Sequence, residues 1–489
     1  MNTVIKQKNT SQPQFLVCFF IGLILVFIAA WVGIFTRPLS HLAFFWPANA
    51  LLLGLILRFP TLRHPLTLAG GGVGFIIADL MTGNTVYLTI VLTLINLMSV
   101  VLAFFFYLAL QRTDQQSSNP FDIRLAYPYL IATLLASYVA ALIAIMILPL
   151  VPDTFFNTQP TFIDFMSWWS GEMFNYVLVL PIMMSFPTWK KIKNQLLDRR
   201  KLFEKITHVQ EISPLIAVLI SCFITHQFFA PGAMLYPLAT LMWAAVVYSM
   251  FKIALITTLV CLTLYHSLSY LYLDNIQNDF LYPMISIRIG LIILAITTLF
   301  MGVMSLNRRR LFMEMRYLAD HDGLTGALNR RSFLDQAERL LHRPQNYPLS
   351  LMMLDLDHFK HLNDRYGHHV GDLALKHFSH VVRHHLREND LFCRIGGEEF
   401  IILLKNTELD HVLQIAERIR ITIAETSFYS DHDTEVSMTV SIGVAHQAKI
   451  MKISLQIFMQ QADEALYQAK HLGRNQVQWE KIPMQSSTF

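Results

Sequence analysis

Arg394-Ile395-Gly396-Gly397-Glu398-Glu399-Phe400 is the stretch on which the reading of this chain turns. Apolar residues flank it, with Leu391, Phe392 and Ile395 before and Phe400 to Leu404 after. Two short apolar runs around a Gly-Gly pair predict a β-hairpin, because glycine supplies the positive φ that a tight turn demands. Two adjacent carboxylates, Glu398 and Glu399, follow the glycines. They stand where a backbone without Cβ lets a bulky ligand come close. Taken alone, Gly-Gly-Glu-Glu is equally a solvated hairpin tip. The surrounding chain decides between the two.

Working outward, Leu349 to Leu354 is a run of strand length that predicts a central strand buried on both faces. It ends in Asp355-Leu356-Asp357-His358-Phe359-Lys360. A carboxylate where a buried strand emerges suits a hard metal ion, and Glu398 on the hairpin is a candidate second ligand. Salt-bridged strand ends share that pattern. Asn363, His368 and Asp372 follow in Asn-Asp-x-x-Gly-His-x-x-Gly-Asp. An Asp accepts from the guanine ring N–H and exocyclic amine while an Asn pairs with a remaining edge group; both residues also form turns. Upstream, Asp322 and Thr325 suit a turn and a helix start, with the helix running through Arg339. Downstream, Ser441 to Ala445 is a strand, followed by a helix carrying Lys470 and Arg474. Four apart, those two cations are expected on one helix face and, with Lys360, form a cationic rim for a triphosphate.

Residues 316–480 as a set resemble the GGDEF family of diguanylate cyclases. The resemblance rests on four spaced motifs: Asp-x-Leu-Thr-x-x-x-Asn-Arg at 322–330, Asp-x-Asp-x-Phe-Lys at 355–360, Gly-Gly-Glu-Glu-Phe at 396–400 and Lys-x-x-Gly-Arg-Asn at 470–475. It departs from the family pattern at Glu398, where the signature has Asp, and at Ala327. The resemblance implies an α/β palm similar to nucleotidyl cyclases. It implies Mg²⁺ (or Mn²⁺) held by Asp355, the Leu356 carbonyl and Glu398. Asn363, His368 and Asp372 hold the GTP base and ribose side, and Lys360, Lys470 and Arg474 meet phosphates. Glu398 also assists deprotonation of the attacking hydroxyl, beside Glu399. Two GTP molecules facing each other across a two-fold axis of a homodimer would each attack the other, giving cyclic di-GMP and two pyrophosphates. The family's Arg-x-x-Asp element corresponds to Arg387 and Asp390, with Arg418 as a secondary contact, and implies inhibition by the product; a surface ion pair is the plain reading of the same residues.

The first 306 residues are different in kind. The chain of 489 residues is 54% hydrophobic, and its apolar residues crowd into this region. About ten runs are long enough to cross a bilayer as helices. They fall at 14–35, 42–58, 66–82, 86–111, 125–150, 163–186, 211–230, 233–250, 253–273 and 284–306. Lys6 and Lys8 resemble a signal-peptide start, but the run that follows is long and lacks a small-residue cleavage site, so an uncleaved first span is expected. Arg58, Arg63, His64, Arg112, Arg124, Lys190, Lys191, Lys193, Arg199, Arg200, Lys201, Lys205 and Lys252 occupy alternate loops. The intervening loops are poor in Lys and Arg, or acidic from Asp274 to Asp279; Arg37 alone breaks the pattern. Positive residues stay on the cytoplasmic side, so both ends are expected inside a bacterial inner membrane, surrounded by lipid. The formal net charge of +4 is modest and lies in these loops, which argues against nucleic-acid binding. Cys18, Cys222, Cys261 and Cys393 show neither disulfide nor zinc spacing.

Asp79, Glu172 and Arg288 fall at membrane depth, where an ionisable group marks a site, a structural ion pair or an interfacial position. Trp46-Pro47 and Trp168-Trp169-Ser170-Gly171-Glu172 resemble the first class of bacterial membrane-associated sensor (MASE-type) domains; Pro47 is read as a kink. Leu311, Met315 and Leu318 continue the last span as an amphipathic connector over 307–321, ahead of a cyclase domain at 322–489. Their seam faces either a second subunit or the helix's own domain. His377, His380, His384 and His385 share a helix, and the second and third have metal-ligand spacing, though a solvated face explains them. The fold expected is thus a multi-pass α-helical membrane domain followed by an α/β palm-like domain. The alternative to an enzyme is a non-catalytic membrane receptor that binds GTP or cyclic di-GMP; a transporter with a regulatory tail is a third class, weakened by the few intramembrane charges.

Overall fold

The structure, a computed structural model, describes residues 12–36, 44–111, 123–152, 154, 161–189, 193, 209–228, 232–275, 281–430, 434–449 and 454–481. The chain divides into two compact units, Met1–Arg310 and Leu311–Phe489. Arg37, Arg112, Lys190, Lys191, Arg199, Arg200, Lys201, Lys205 and Asp279 lie outside the described residues.

Among the described residues, the first unit is helical throughout. Its helices are α1 (Gln12–Phe35), α2 (Ala48–Arg58), α3 (Pro65–Met81), α4 (Val86–Leu110), α5 (Ile123–Ile147), α6 (Phe162–Ser185), α7 (Val209–Gln227), α8 (Tyr236–Val247), α9 (Met250–Asn275) and α10 (Leu281–Asp320). Every expected apolar run holds a helix, but among the described residues five stretches are long and apolar enough to cross a membrane: Phe15–Phe35, Val86–Leu110, Pro128–Leu150, Met250–Ser269 and Leu281–Asp320. Shorter apolar helices fill much of the remainder. The run at 42–58 is one of these. Pro47 is not a kink but the residue preceding α2, because proline lacks the N–H that a helix interior requires. Small residues let α1 and α3 touch backbone to backbone. A Cβ on Gly70 would sit 2.0 Å from the Phe19 carbonyl oxygen, and one on Gly22 2.3 Å from that of Thr67. This is how apolar helices associate where burial from water gives no drive.

The three deep ionisable residues are all buried. Glu172 accepts from Asn49 Nδ2 at 2.8 Å, Asp79 accepts from Asn84 Nδ2 at 3.3 Å, and Arg288 donates to Tyr265 OH at 2.6 Å and to the Ser167 carbonyl at 3.1 Å. Buried charge is tolerated when its hydrogen bonds are met in this way. Helix α10 carries a buried face as far as Ser305 and then becomes exposed. Leu311, Met315 and Leu318 are 59%, 70% and 67% exposed, so among the described residues nothing covers their seam.

The second unit is built on a six-stranded mixed sheet. Its strands are β1 (Leu328–Asn329), β2 (Leu349–Leu356), β3 (Leu391–Gly396), β4 (Glu399–Lys405), β7 (Val440–Gln447) and β8 (Val477–Lys481), ordered β1-β3-β4-β2-β7-β8; β5 (Phe428–Tyr429) and β6 (Glu435–Val436) pair separately. Central β2 runs antiparallel to β4 and β7, and all eight of its residues are buried. Because side chains alternate along a strand, β2 serves two cores. Met352, Leu354 and Leu356 pack towards α12 (Phe359–Tyr366), α13 (His368–His385) and α14 (Leu409–Glu425). Leu349, Leu351 and Met353 pack towards α11 (Arg330–Leu341) and α15 (Leu455–His471). α15 lies so close to β7 that a Cβ on Gly443 would meet the Leu466 backbone nitrogen at 2.1 Å.

The helix expected to start at Asp322 starts later, at Arg330. Asp322 instead closes a turn, accepting from the Thr325 amide at 2.9 Å and hydroxyl at 2.7 Å, and Gly326 at φ +65° ends it. Asn329 is the cap of α11, accepting from the Ser332 amide at 2.9 Å while its own amide donates to the Ala319 carbonyl.

Candidate active site

Asp355 emerges from the end of β2, opposite Glu399 on β4 and Ser441 on β7. The next amide, Leu356 N, donates to the Glu398 carbonyl at 3.4 Å, drawing the hairpin tip against the strand end. Lys470, from the last turn of α15, places Nζ 2.8 Å from Asp355 Oδ2. Burial pushes the Asp355 carboxyl above its ordinary range; Lys470 opposes the shift, and the fields of Glu398 and Glu399 add to it. Three carboxylates therefore repel one another around one cation.

The tip is an irregular turn in which Gly397 takes φ +53°. Arg394 fixes it from below. Its Nε donates to the Gly397 carbonyl at 2.9 Å and its Nη1 to Asp322 Oδ1 at 3.2 Å. The turn at 322–327 and the hairpin at 396–399 are thus one assembly, joined by a salt bridge that is largely buried on both sides. Burial alone would raise the Asp322 carboxyl, but the Thr325 hydroxyl and amide and the Arg394 guanidinium hold it below the usual carboxylate range.

Asp357, two residues beyond Asp355, is engaged entirely within the protein. It accepts from the Thr439 hydroxyl at 2.7 Å, the Ser441 hydroxyl at 2.6 Å and the Asn475 amide at 3.0 Å. A carboxylate so saturated is a structural clamp. It holds the loop after α15, where Gly473, Arg474 and Asn475 take φ of +117°, +64° and +43°. Arg420 braces the same loop by donating to Asn475 Oδ1 at 2.9 Å. Lys470 and Arg474 accordingly do not share a helix face. α15 ends at His471, and Arg474 is displayed by the left-handed turn that follows.

Directly after Asp357 in the chain, α12 carries Lys360, exposed, and Asn363, half-buried. Gly367 at φ +86° turns the chain into α13, whose first turns present His368 and Asp372, both exposed. Asn363 Oδ1 is buried with no hydrogen-bond partner, pressed against Gly371, where a Cβ would come within 1.9 Å of it. An orphaned buried amide oxygen is a group awaiting a donor. Arg387 and Asp390 form a tight turn before β3: Arg387 N donates to Asp390 Oδ2 at 2.8 Å, and Asp390 N to the Arg387 carbonyl at 3.1 Å. The Arg387 side chain is exposed, and Arg418 stands exposed on α14. His380 and His384 approach at 3.2 Å, Nε2 to Nε2, on the exposed face of α13. Among the described residues, no group of three His, Cys, Asp or Glu side chains is arranged to hold a metal ion. Two carboxylates and a carbonyl, the Asp355, Glu398 and Leu356 set, are nevertheless hard oxygen donors of the kind that Mg²⁺ or Mn²⁺ takes, and Lys470 already supplies positive charge there.

Sequence reasoning missed Arg394, Asp357, Arg420 and Gly371 as parts of the site. The contacts that place the first three in the site, Arg394 to Asp322, Arg420 to Asn475 and Asp357 to Thr439, Ser441 and Asn475, join residues 55 to 118 apart along the chain.

Residues 319–476 match the family described as "Diguanylate cyclase, GGDEF domain". The chain is 40% identical over 173 residues to diguanylate cyclase DgcM of Escherichia coli (strain K12), a match covering 35% of this chain and 41% of DgcM. It is 27% identical over 450 residues to probable diguanylate cyclase DgcF of Escherichia coli O157:H7, covering 91% of this chain and 90% of that one. Among solved structures, the coiled coil and GGDEF domain of DgcB from Caulobacter crescentus in complex with c-di-GMP is similar, at 30% identity, over 36% of this chain and 92% of that chain, with a TM-score of 0.34. The chain spans less than half the length of several curated relatives that it matches. A GGDEF domain on a mixed sheet thus occupies the C-terminal region, preceded by a helical region with several apolar helices.

Proposed function

We propose that this chain is a membrane-bound diguanylate cyclase that condenses two GTP into cyclic di-GMP and two pyrophosphates. The observation that carries the reading is the convergence of Asp355, Glu398, Glu399 and Lys470 at the mouth of β2, in a segment that matches the GGDEF family. Asp355, the Leu356 carbonyl and Glu398 would hold Mg²⁺ or Mn²⁺. When bound, that ion neutralises charge on the phosphoryl oxygens and acidifies the attacking hydroxyl. The protein's own groups do the rest. Asn363, His368 and Asp372 receive the guanine and ribose side, the orphaned Asn363 oxygen accepting a donor from the base. Lys360, Lys470 and Arg474 meet the phosphates, with Arg474 aimed by the turn that Asp357 clamps.

Each 3′-hydroxyl attacks the α-phosphorus of the GTP on the other subunit. A P–O bond forms, the α–β phosphoanhydride bond breaks, pyrophosphate leaves and the hydroxyl proton passes towards Glu398. Because one subunit holds half of the reacting pair, the homodimer is part of the catalyst, and the uncovered seam of Leu311, Met315 and Leu318 supports that assembly. The helical unit spans the bacterial inner membrane as a MASE-type sensor with the cyclase in the cytoplasm, and Arg387, Asp390 and Arg418 bind cyclic di-GMP as a feedback inhibitor.

Incubating the purified full chain with GTP and Mg²⁺ tests this. Cyclic di-GMP is expected by chromatography, and Glu398→Ala should lower its formation by about 10²-fold or more, as removal of a group acting at the reacting charge does. No product from the parent protein, with GTP still bound, would favour the receptor reading instead.

A further inference from the structure

The helical unit contains a half-open cavity of about 280 Å³ between α5, α6, α9 and α10. Its walls include Tyr129 and Thr133 of α5, Tyr176 and Met184 of α6, Met250 of α9 and Phe300 of α10. Its polar groups are already engaged elsewhere. Tyr176 OH shares a hydrogen bond with Ser99 Oγ at 2.9 Å, and Thr133 Oγ1 donates to the Tyr129 carbonyl at 2.9 Å. The Tyr129 ring stacks on Tyr107 with centroids 4.4 Å apart. A polar ligand would thus lose its water and gain little in return, whereas an apolar chain loses nothing.

The charge at one end of this cavity says more. Met184, on its wall, offers its carbonyl to the Arg58 guanidinium, which also reaches the carbonyls of Met183, at 3.1 Å, and Phe186. Phe186 packs edge-on against Phe251, with centroids 5.3 Å apart, beside Met250 on the wall and Lys252. Val303 lines the cavity on α10, and Arg309 lies six residues further on, about 9 Å along the helix. Arg309 reaches the Val246 and Val247 carbonyls at the end of α8. Arg63 donates to the Ile56 and Leu57 carbonyls at 3.0 and 2.9 Å. Arg58 thus meets the wall at Met184, Arg63 binds the same helix end that Arg58 closes, Lys252 follows the lining residue Met250 by two positions, and Arg309 follows Val303 by six. Some of their donors cap helix ends, but the charge remains.

We propose that this slot is a binding site for one acyl chain of an anionic phospholipid, whose headgroup phosphate rests among Arg58, Arg63, Lys252 and Arg309. Basic pockets between membrane helices select anionic headgroups in this way, and each buried methylene adds to the binding. Because α10 forms one wall, occupancy bears on the helix that runs on to Asp320. The proposal rests on the membrane-spanning part of the proposed function.

The test uses the full chain in phosphatidylcholine nanodiscs containing a phosphatidylglycerol probe with a diazirine near the end of one acyl chain, with cross-linked peptides mapped by mass spectrometry. Labelling is expected to concentrate on 129–133, 176–184 and 296–303. It should fall to background in Val303→Trp and, independently, in Val177→Phe. A phosphatidylcholine probe should label these residues less, by about fivefold for each cation that engages the headgroup. Labelling spread evenly over the helices, labelling unchanged in both filled variants, or equal labelling by the two probes overturns the site. Should Val303→Trp fail to enter the discs, the map on the parent chain and Val177→Phe still decide it. Failure of the parent chain to enter the discs overturns the membrane reading itself, which is a separate result.

Discussion

Lys470 Nζ lies 2.8 Å from Asp355 Oδ2, bringing the last turn of α15 onto the end of β2. Burial raises the Asp355 carboxyl, Lys470 pulls it back, and Glu398 and Glu399 push it up again. Asp355 consequently holds a proton more readily when folded than when unfolded. Its contribution to stability is greatest at low pH and declines as the pH rises through the interval between the ordinary carboxylate value and the raised folded one. Lys470→Met removes the opposing cation and widens that interval. The variant should lose more melting temperature than the parent on going from about pH 5 to about pH 7.5. Equal pH slopes in thermal melts of the two proteins would show that Lys470 does not govern this carboxyl.

Gly371 makes room for Asn363. A Cβ there would fall 1.9 Å from Asn363 Oδ1, so Gly371→Ala must displace the amide whose oxygen has no partner among the described residues. The helix itself tolerates alanine better than glycine. The expected variant is folded, binds GTP about tenfold more weakly, equivalent to about 1.4 kcal/mol, and changes kcat less than KM. Steady-state kinetics over a range of GTP separate the two; an unchanged KM would exclude Asn363 from the guanine side.

These two positions also show what the sequence could and could not convey. Asp355 was legible because a buried run ends in a carboxylate, and the hairpin was legible because two glycines interrupt two apolar runs. β2, buried on both faces, followed from a continuous apolar run of strand length. Arg474 was misjudged because helical spacing says nothing of where a helix stops; this one ends at His471, and Arg474 lies within the positive-φ turn that follows. Asp357 stood in a quoted motif without a role, because its partners Thr439, Ser441 and Asn475 are 82 to 118 residues away. In the helical unit, apolar runs located the helices but not their ends, since Pro47 begins a helix that hydropathy alone would start earlier.

Arg394 ties Asp322 to the hairpin tip. Hydrogen bonds from Thr325 and Arg394 outweigh burial and hold Asp322 below its ordinary value. That contribution to stability is present above the unfolded carboxylate value and is lost as the pH falls through the depressed folded value. Arg394→Ala should reduce stability at neutral pH by about 1–3 kcal/mol, the cost of leaving a largely buried acceptor with fewer donors, and should blunt the decline on acidification. It should also lower turnover, because the turn that carries Glu398 is left without its brace. Denaturant titrations at neutral and acidic pH check the first two effects. A variant as stable as the parent at neutral pH would mean that the bridge contributes nothing.

Arg387 and Asp390 hold each other through backbone and carboxylate, not through the guanidinium, which is left exposed. Burial raises the Asp390 carboxyl, and the Arg387 amide counters it. Arg387→Ala keeps that turn intact, since the amide donor is unchanged, and removes only the group proposed to meet cyclic di-GMP. Initial rates should be preserved, while the product concentration that halves activity should rise about tenfold or more, in keeping with loss of a charge-assisted contact. Progress curves with added cyclic di-GMP measure it, and an unshifted inhibition constant would leave this turn a plain structural feature.

Leu311, Met315 and Leu318 line one side of the exposed part of α10, at 59%, 70% and 67% exposure, spaced four and three residues apart. That spacing fits the seam that the proposed homodimer would close with a second copy of the helix. Each copy would bring its own Asp355 and Glu398 with one GTP, so the reaction needs the seam closed. Met315→Lys puts like charges opposite each other in such a pair and leaves the single helix undisturbed, since lysine and methionine have similar helix propensity. The variant should be folded, shift towards monomer in light scattering at micromolar concentration, and lose activity in a way that rising protein concentration restores. Activity that is first order in enzyme and equal to the parent's would show that this seam does not bring the two half-sites together.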